Sequence, residues 1–236
     1  MTRRFPPALA TAFIALLVSS TVAPLGAQGG LPINAQLGLP QGEFAENVKA
    51  AGGIGFGGIF PIATELGIRG GLDFMVYGSE TRRVPLGGGA LGLINVDVTT
   101  TNAIVGGHIG LQVGLPSERP KPYIGGMLGL SNFNTTSRAA GSNSSDQTFA
   151  SSTNESDNAF SKTVLAGFYF PSRGSTLIDL GVRYTWNGES VRYLTQDGIT
   201  QDIATNSLIL NPSETRADLL TITIGVTVRF GGQGQK

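Results

Sequence analysis

The feature that most narrows the fold is a run of strict alternation late in the chain, "LLTITIGVTVRF" at residues 219–230. Leu220, Ile222, Ile224, Val226, Val228 and Phe230 are apolar, while Thr221, Thr223, Gly225, Thr227 and Arg229 stand between them. A period of two is a β-strand with two unlike faces. In a water-soluble sheet the apolar face meets a core. In a membrane barrel it meets lipid, and the polar face points inward.

Seven earlier segments repeat the pattern. Residues 31–40 set Ile33, Ala35, Leu37 and Leu39 against Asn34, Gln36 and Gly38, and residues 49–60 set Ile54, Phe56 and Phe60 against Gly53, Gly55 and Gly57. Residues 66–78 place Leu66, Ile68, Leu72, Phe74 and Val76 opposite Arg69, Gly71 and Asp73. Residues 98–115 place Ala103, Val105, Ile109, Leu111 and Val113 opposite Gly106, His108, Gly110 and Gln112. Residues 121–135 oppose Ile124, Leu128 and Leu130 to Gly125, Gly129 and Ser131, with Met127 off pattern. Residues 159–170 oppose Val164, Ala166, Phe168 and Phe170 to Ser161, Thr163 and Gly167, with Leu165 and Tyr169 off pattern. Residues 176–188 oppose Ile178, Leu180, Val182, Tyr184 and Trp186 to Asp179, Gly181, Arg183 and Asn187.

The connections alternate in length. "PIATE", "PSERP" and "PSRGS" are five-residue turns bearing proline, whereas residues 79–97, 136–158 and 189–217 are long and rich in Gly, Ser, Asn, Thr or Asp. Outer-membrane barrels pair short periplasmic turns with long outer loops. With the first strand joined to the second through "QGEFAENV", the strand number is even and both ends fall on the periplasmic side. The expected fold is all-β: an eight-stranded antiparallel up-and-down transmembrane β-barrel.

The beginning of the chain fits export. Arg3 and Arg4 precede the apolar run "ALATAFIALLVSSTVA", and "APLGAQ" places the small residue Ala27 where a signal peptidase cuts. Residues 1–27 therefore read as a cleaved signal peptide, too short an apolar run to span a bilayer as a helix. Residues 28–236 read as one barrel domain with a short tail at 231–236. Losing Arg3 and Arg4 from 16 basic residues against 16 acidic ones leaves the exported chain slightly acidic, with no basic surface for nucleic acid. The chain has no cysteine, which excludes disulfides, thiolate metal sites and thiol catalysis. Its 35 glycines are about twice the usual share and are spread through the alternating segments, as close-packed strands require.

On the signal, the eight alternating segments, the loop asymmetry and the closing "TIGVTVRF", the chain resembles the small eight-stranded outer-membrane β-barrels of Gram-negative bacteria, the OmpA-like transmembrane domain and its relatives. The resemblance implies location in the outer membrane, contact with outer-membrane lipid and a monomeric barrel. It also implies that the barrel-assembly machinery reads Phe230, although "GGQGQK" follows it here.

If the apolar face meets lipid, then Arg69, Asp73, His108, Gln112, Asp179, Arg183 and Arg229 point into a lumen that side chains alone can fill. Acids and bases are nearly balanced there, so the expectation is a network of ion pairs and hydrogen bonds that plugs the barrel. Inward glycines leave room for it. Phe60, Phe168, Phe170 and Phe230 lie near the inner ends of their strands, and Phe74, Phe160, Tyr184 and Trp186 nearer the outer ends, the two levels of interfacial girdles.

Chemistry is thinly represented. His108 is the only histidine, and no serine near it has a nucleophile's context. "PLGGGALG" lacks the Lys and Ser/Thr of a phosphate loop, and "SNSSDQTFASSTNESDN" lacks the spacing of a calcium loop. The expectation is therefore no catalytic residue, no cofactor and no metal, with any extracellular partner met by the outer loops. The alternative is a soluble exported barrel that holds an apolar ligand as lipocalins do, with the same alternation pointing the other way.

Overall fold

The computed structural model describes residues 29–86, 94–114, 120–141, 148–172, 174–188, 190–193, 199–202, 207–210 and 212–230. The signal segment, most of "PLGGGALG" and of "PSERP", the first part of "SNSSDQTFASSTNESDN", parts of 189–217 and the tail at 231–236 lie outside the described residues.

Eight strands form the barrel: β1 (Gly29–Pro40), β2 (Ala51–Pro61), β3 (Leu66–Leu86), β4 (Ile94–Gly114), β5 (Lys121–Gly141), β6 (Thr148–Pro171), β7 (Thr176–Asn187) and, last in the chain, β12 (Leu219–Phe230). Each pairs antiparallel with its neighbour in the barrel, and β12 closes the sheet by pairing with both β7 and β1. The seam register runs from Gly29 opposite Phe230 to Pro40 opposite Leu219, so the alternation of both strands falls in phase. Ile33, Ala35 and Leu37 lie beside Val226, Ile224 and Ile222 on one face, and Asn34 and Gln36 lie beside Gly225 and Thr223 on the other.

The apolar face points outward. Ile33, Ile224 and Leu130 are each about 60% exposed (59%, 59% and 61%), while Gln36, Arg69, Asp179 and Thr221 are buried. A continuous apolar exterior of this extent, around a polar interior and a sheet with no open edge, is a lipid-facing surface. This orientation is the opposite of a lipocalin's, so the soluble ligand-holding alternative does not fit the fold.

At the short-turn end, Ile62 and Ala63 donate backbone hydrogen bonds to Leu66 O at 2.8 and 3.0 Å, reversing the chain within a few residues. Between β6 and β7, Ser172 N donates to Thr176 O at 3.0 Å, and Gly174 takes the left-handed φ of 64° that this tight return needs.

The loop end differs from the sequence expectation. β3, β4 and β5 are each 21 residues long and β6 is 24, whereas about 10 suffice to cross a bilayer. Residues 79–86 and 94–97, expected as loop, continue β3 and β4, and residues 136–141 and 148–158 continue β5 and β6. Hydroxyl ladders hold this projecting sheet together: Thr81 with Thr99 at 2.8 Å, and Thr100 with Ser137 at 2.8 Å. Near its tip Arg83 donates to Asp97 at 2.9 Å, which holds the Asp97 carboxyl below the usual range. In β5 and β6 the extension is rich in Thr, Ser and Asn and shows no apolar period of two, whereas in β4 Ile94, Val96 and Val98 do alternate with Asn95, Asp97 and Thr99, a short run in a segment whose composition reads as loop.

The remaining connections carry structure as well. Residues 41–48 include the short helix α1 (Glu43–Asn47). Within 189–217 lie β8 (Val191–Tyr193) paired with β11 (Ser213–Thr215), and β9 (Ile199–Asp202) paired with β10 (Ser207–Leu210).

Ile224 stands at the middle of the lipid-facing side of β12. An Ile224→Arg substitution is expected to cost ~2–4 kcal/mol of folding free energy in phospholipid vesicles, read from urea-dependent folding, because a cation then sits at mid-bilayer.

Candidate functional site

Two regions bear on function: the filled lumen, and the sheet that projects beyond the belt. The lumen is layered. Its central layer is centred on Asp73 of β3. Arg183 of β7 grips that carboxylate with both terminal nitrogens, Nη1 to Oδ2 at 3.1 Å and Nη2 to Oδ1 at 3.2 Å. His108 Nδ1 of β4 lies 3.1 Å from the same Oδ2. Gln36 Nε2 of β1 donates to Asp73 Oδ1 and, at 2.8 Å, to Asn34 Oδ1. Four strands thus meet on one acid.

A second layer lies toward the short-turn end around Arg69. Its Nη1 donates to Gln112 Oε1 at 2.7 Å and to the Tyr169 hydroxyl at 3.3 Å, and its Nη2 stands 3.8 Å from Asp179 Oδ2. Tyr123 donates to Asp179 Oδ1 at 2.7 Å, stacks on Tyr169 with centroids 4.5 Å apart, and lies beneath the Arg69 guanidinium at 5.6 Å. Leu165, Met127, Leu177 and half-buried Ile59 pack around these two rings.

Glycine makes these layers possible at specific places. A Cβ on Gly55 would stand 2.0 Å from Gln36 Nε2 and 2.5 Å from Asp73 Oδ1, and one on Gly181 would stand 2.6 Å from the Tyr123 hydroxyl. Both positions must be bare for a long side chain from a strand one or two places away to lie over the wall and reach its partner, Gln36 of β1 passing over β2 to Asp73 and Tyr123 of β5 passing over β6 to Asp179.

At the loop end the lumen holds an apolar cluster. Phe44, carried inward by α1, meets Tyr193 of β8 edge to face at 5.0 Å, Tyr77 at 5.8 Å and Phe133 at 6.1 Å. Met75, Ile104, Val191 and Leu219 pack into the same cluster, with Val48 and three alanines filling the gaps. Asn47 Nδ2 donates to the Tyr193 hydroxyl at 3.1 Å, tying the first connection to the last long one. Between this cluster and Asp73 lies a cavity of about 40 Å³ lined by Asp73, His108, Ser131, Ser161, Arg183 and Thr221 among others, room for a few waters.

Of the residues singled out from the sequence, Asp73, His108 and Arg183 come together in the central layer, and Arg69, Gln112 and Asp179 in the second. Arg229 lies apart at the short-turn rim, where its Nη2 donates to Gly174 O at 3.3 Å. Phe168, Phe170 and Phe230 are exposed on the exterior, with Phe60 half-buried 6.3 Å from Phe230. Tyr184 and Trp186 meet at 4.7 Å near the other end of the belt. Sequence reasoning put Asn34 and Gln36 on the polar face without naming them in the lumen network, and missed Tyr123, Tyr169, Phe44 and Tyr193 as lumen fillers. Tyr169, with Met127 and Leu165, had a signal: each broke the alternation of its strand because it faces inward.

No protein-family model matches the chain, and no curated protein matches it. Solved structures do. Neisserial surface protein A, from Neisseria, is 14% identical over 86% of this chain and 99% of its own, with a TM-score of 0.50. Ail, the attachment invasion locus protein of Yersinia pestis, is 14% identical over 86% of this chain and 98% of its own, with a TM-score of 0.44. A major outer membrane protein from Thermus thermophilus is 11% identical over 86% and 99%, with a TM-score of 0.44. The fold is that of the small eight-stranded outer-membrane β-barrels.

Removing one member of the central layer strands the others. Asp73→Leu is expected to lower stability in vesicles by ~3–5 kcal/mol, since Arg183 then keeps a buried, unmatched charge. Adding Arg183→Met to that variant is expected to recover most of the loss in the same urea measurement.

Proposed function

We propose that this chain is an exported outer-membrane barrel that acts without catalysis, with its lumen shut and its function carried by the sheet that projects outside. The first 27 residues act as the export signal, and the short turns face the periplasm. Phe230, which ends β12 with its ring exposed, serves as the feature read by the barrel-assembly machinery. With no unpaired strand edge inside the belt, the barrel is complete as a monomer.

The observation that carries this reading is the contrast between the two regions. The lumen holds two hydrogen-bonded charged layers beneath an aromatic cluster, and the cavity between them and that cluster, about 40 Å³, is of water size. The projecting parts of β3 to β6, by contrast, offer polar, hydrogen-bonded backbone and side chains well beyond the lipid. His108 lies 3.1 Å from Asp73, held as a partner of that carboxylate within the filled interior. A role in envelope integrity or surface interaction follows from the exterior.

Two measurements test the proposal. Liposomes carrying the protein are expected to admit glucose no faster than protein-free liposomes, and faster entry contradicts the shut lumen. Replacing residues 80–100 by a two-residue turn joins the paired Ser79 and Thr101. The shortened barrel is expected to keep heat-modifiable electrophoretic mobility yet fail to restore the phenotype of a strain lacking the protein. Full restoration by that variant would contradict a role for the projecting sheet.

A further inference from the structure

Lys162 interrupts the lipid-facing belt. On its own strand it lies between Phe160, Val164 and Phe168 on the exterior, and its cross-strand neighbours on the same face are Leu128 and Trp186. Among the described lipid-facing residues of the belt it is the one charged side chain, and no carboxylate among them pairs with it. A cation facing lipid is costly at mid-bilayer and tolerated near an interface.

Its level can be counted. Lys162 is eight residues along β6 from Phe170 at the short-turn end, roughly 26 Å of strand and about 20 Å along the membrane normal at the usual tilt. A barrel's apolar band is about 25 Å tall, so Lys162 belongs to the upper part of the belt. One exterior row above it Phe160 and Leu130 are still apolar, and the next row is polar, where Asn132 Nδ2 donates to Ser156 Oγ at 3.0 Å and to Asn158 Oδ1 at 3.0 Å. A lysine so placed extends its stem upward and sets its ammonium at headgroup level.

Below that ammonium the wall is hollow. An apolar groove of about 370 Å³ crosses the exterior of β4 to β7, bounded by Ile109, Leu111, Leu128, Val164 and Trp186, with Lys162 at its rim. Its floor is Gly126, where an added Cβ would find nothing nearer than Thr163 O at 3.9 Å. Its four nearest exterior positions, Ile124 and Leu128 on its own strand and Leu111 and Val164 across from it, all carry branched apolar side chains, so the missing one at Gly126 leaves a chain-sized notch beneath a cation.

We infer that Lys162, Trp186 and the notch at Gly126 form a binding site for a phosphorylated lipid of the outer leaflet, with an acyl chain lying in the groove and the phosphate on the ammonium. The commitment to an anionic lipid rests on charge complementarity, because a zwitterionic head would add its own cation beside Lys162. The inference depends on the proposed membrane placement with the loop end outward.

Trp186 is the only tryptophan of the chain and lines the groove, so its fluorescence reports occupancy directly. The full barrel is folded into dioleoylphosphatidylcholine vesicles containing rising fractions of brominated phosphatidic acid, a phosphomonoester lipid, or of brominated phosphatidylcholine. Brominated phosphatidic acid is expected to quench Trp186 with about fivefold higher relative affinity. Lys162→Gln is expected to abolish that preference and Lys162→Arg to keep it, while Gly126→Leu, which fills the notch, is expected to weaken quenching by both lipids. Equal quenching by the two lipids in the unmodified protein overturns the site while leaving the membrane placement standing. So does a preference that survives Lys162→Gln. Absence of quenching by either lipid overturns the membrane placement and the site together.

Discussion

Backbone hydrogen bonding in a medium without water is the constraint on which everything else in this molecule depends. A strand edge open to hydrocarbon leaves amides and carbonyls without partners at several kcal/mol each, so the sheet must close. The closing pair is β1 with β12, joined along the whole length of both strands with their alternation in phase. A one-residue slip at that seam would turn Gln36 and Asn34 toward lipid and Ile33, Ala35 and Leu37 toward the charged lumen. Closure and face assignment are therefore the same condition, and the composition of the lumen follows from it.

Once the apolar side chains are committed outward, the interior of a narrow barrel has to be filled with what remains. Here that is a set of long polar side chains drawn from β1 and from β3 to β7, each charge matched locally: Asp73 by Arg183 and His108, Asp179 by Arg69 and Tyr123. The glycines opposite them set where those side chains can cross. At the loop end the filling changes to aromatic, and part of it is supplied by connections rather than barrel strands, Phe44 from α1 and Tyr193 from β8. Strand number fixes the diameter of the lumen; loops complete its closure.

The belt was legible in the sequence because it obeys a simple rule. Val226 and Thr227 differ in face for the same physical reason everywhere along β12, and that strand's limits coincide with the alternating run. Arg69, Asp73, Asp179 and Arg183 could be assigned inward by parity, but not paired. Which strands face each other across the lumen depends on closure and tilt, which a one-dimensional pattern does not contain. Tyr123 and Tyr169 were hidden because an inward aromatic looks like a flaw in an apolar strand, and Phe44 because a buried loop residue has no period at all. The projecting parts of β3 to β6 were hidden for another reason: Thr-, Ser- and Asn-rich runs such as 134–137 and 151–154 carry no apolar period, and the alternation of Ile94, Val96 and Val98 is short and sits in a segment that reads as loop.

Because the chain contains no cysteine, a single-cysteine scan of residues 219–230 carrying spin labels tests the inside-out arrangement with least ambiguity. In phospholipid vesicles, oxygen accessibility is expected to alternate residue by residue, high at positions 222, 224 and 226, where Ile222, Ile224 and Val226 face lipid, and low at Thr221, Thr223 and Thr227. An inverted phase, or no alternation across the strand, would contradict an apolar exterior wrapped around a polar, filled lumen.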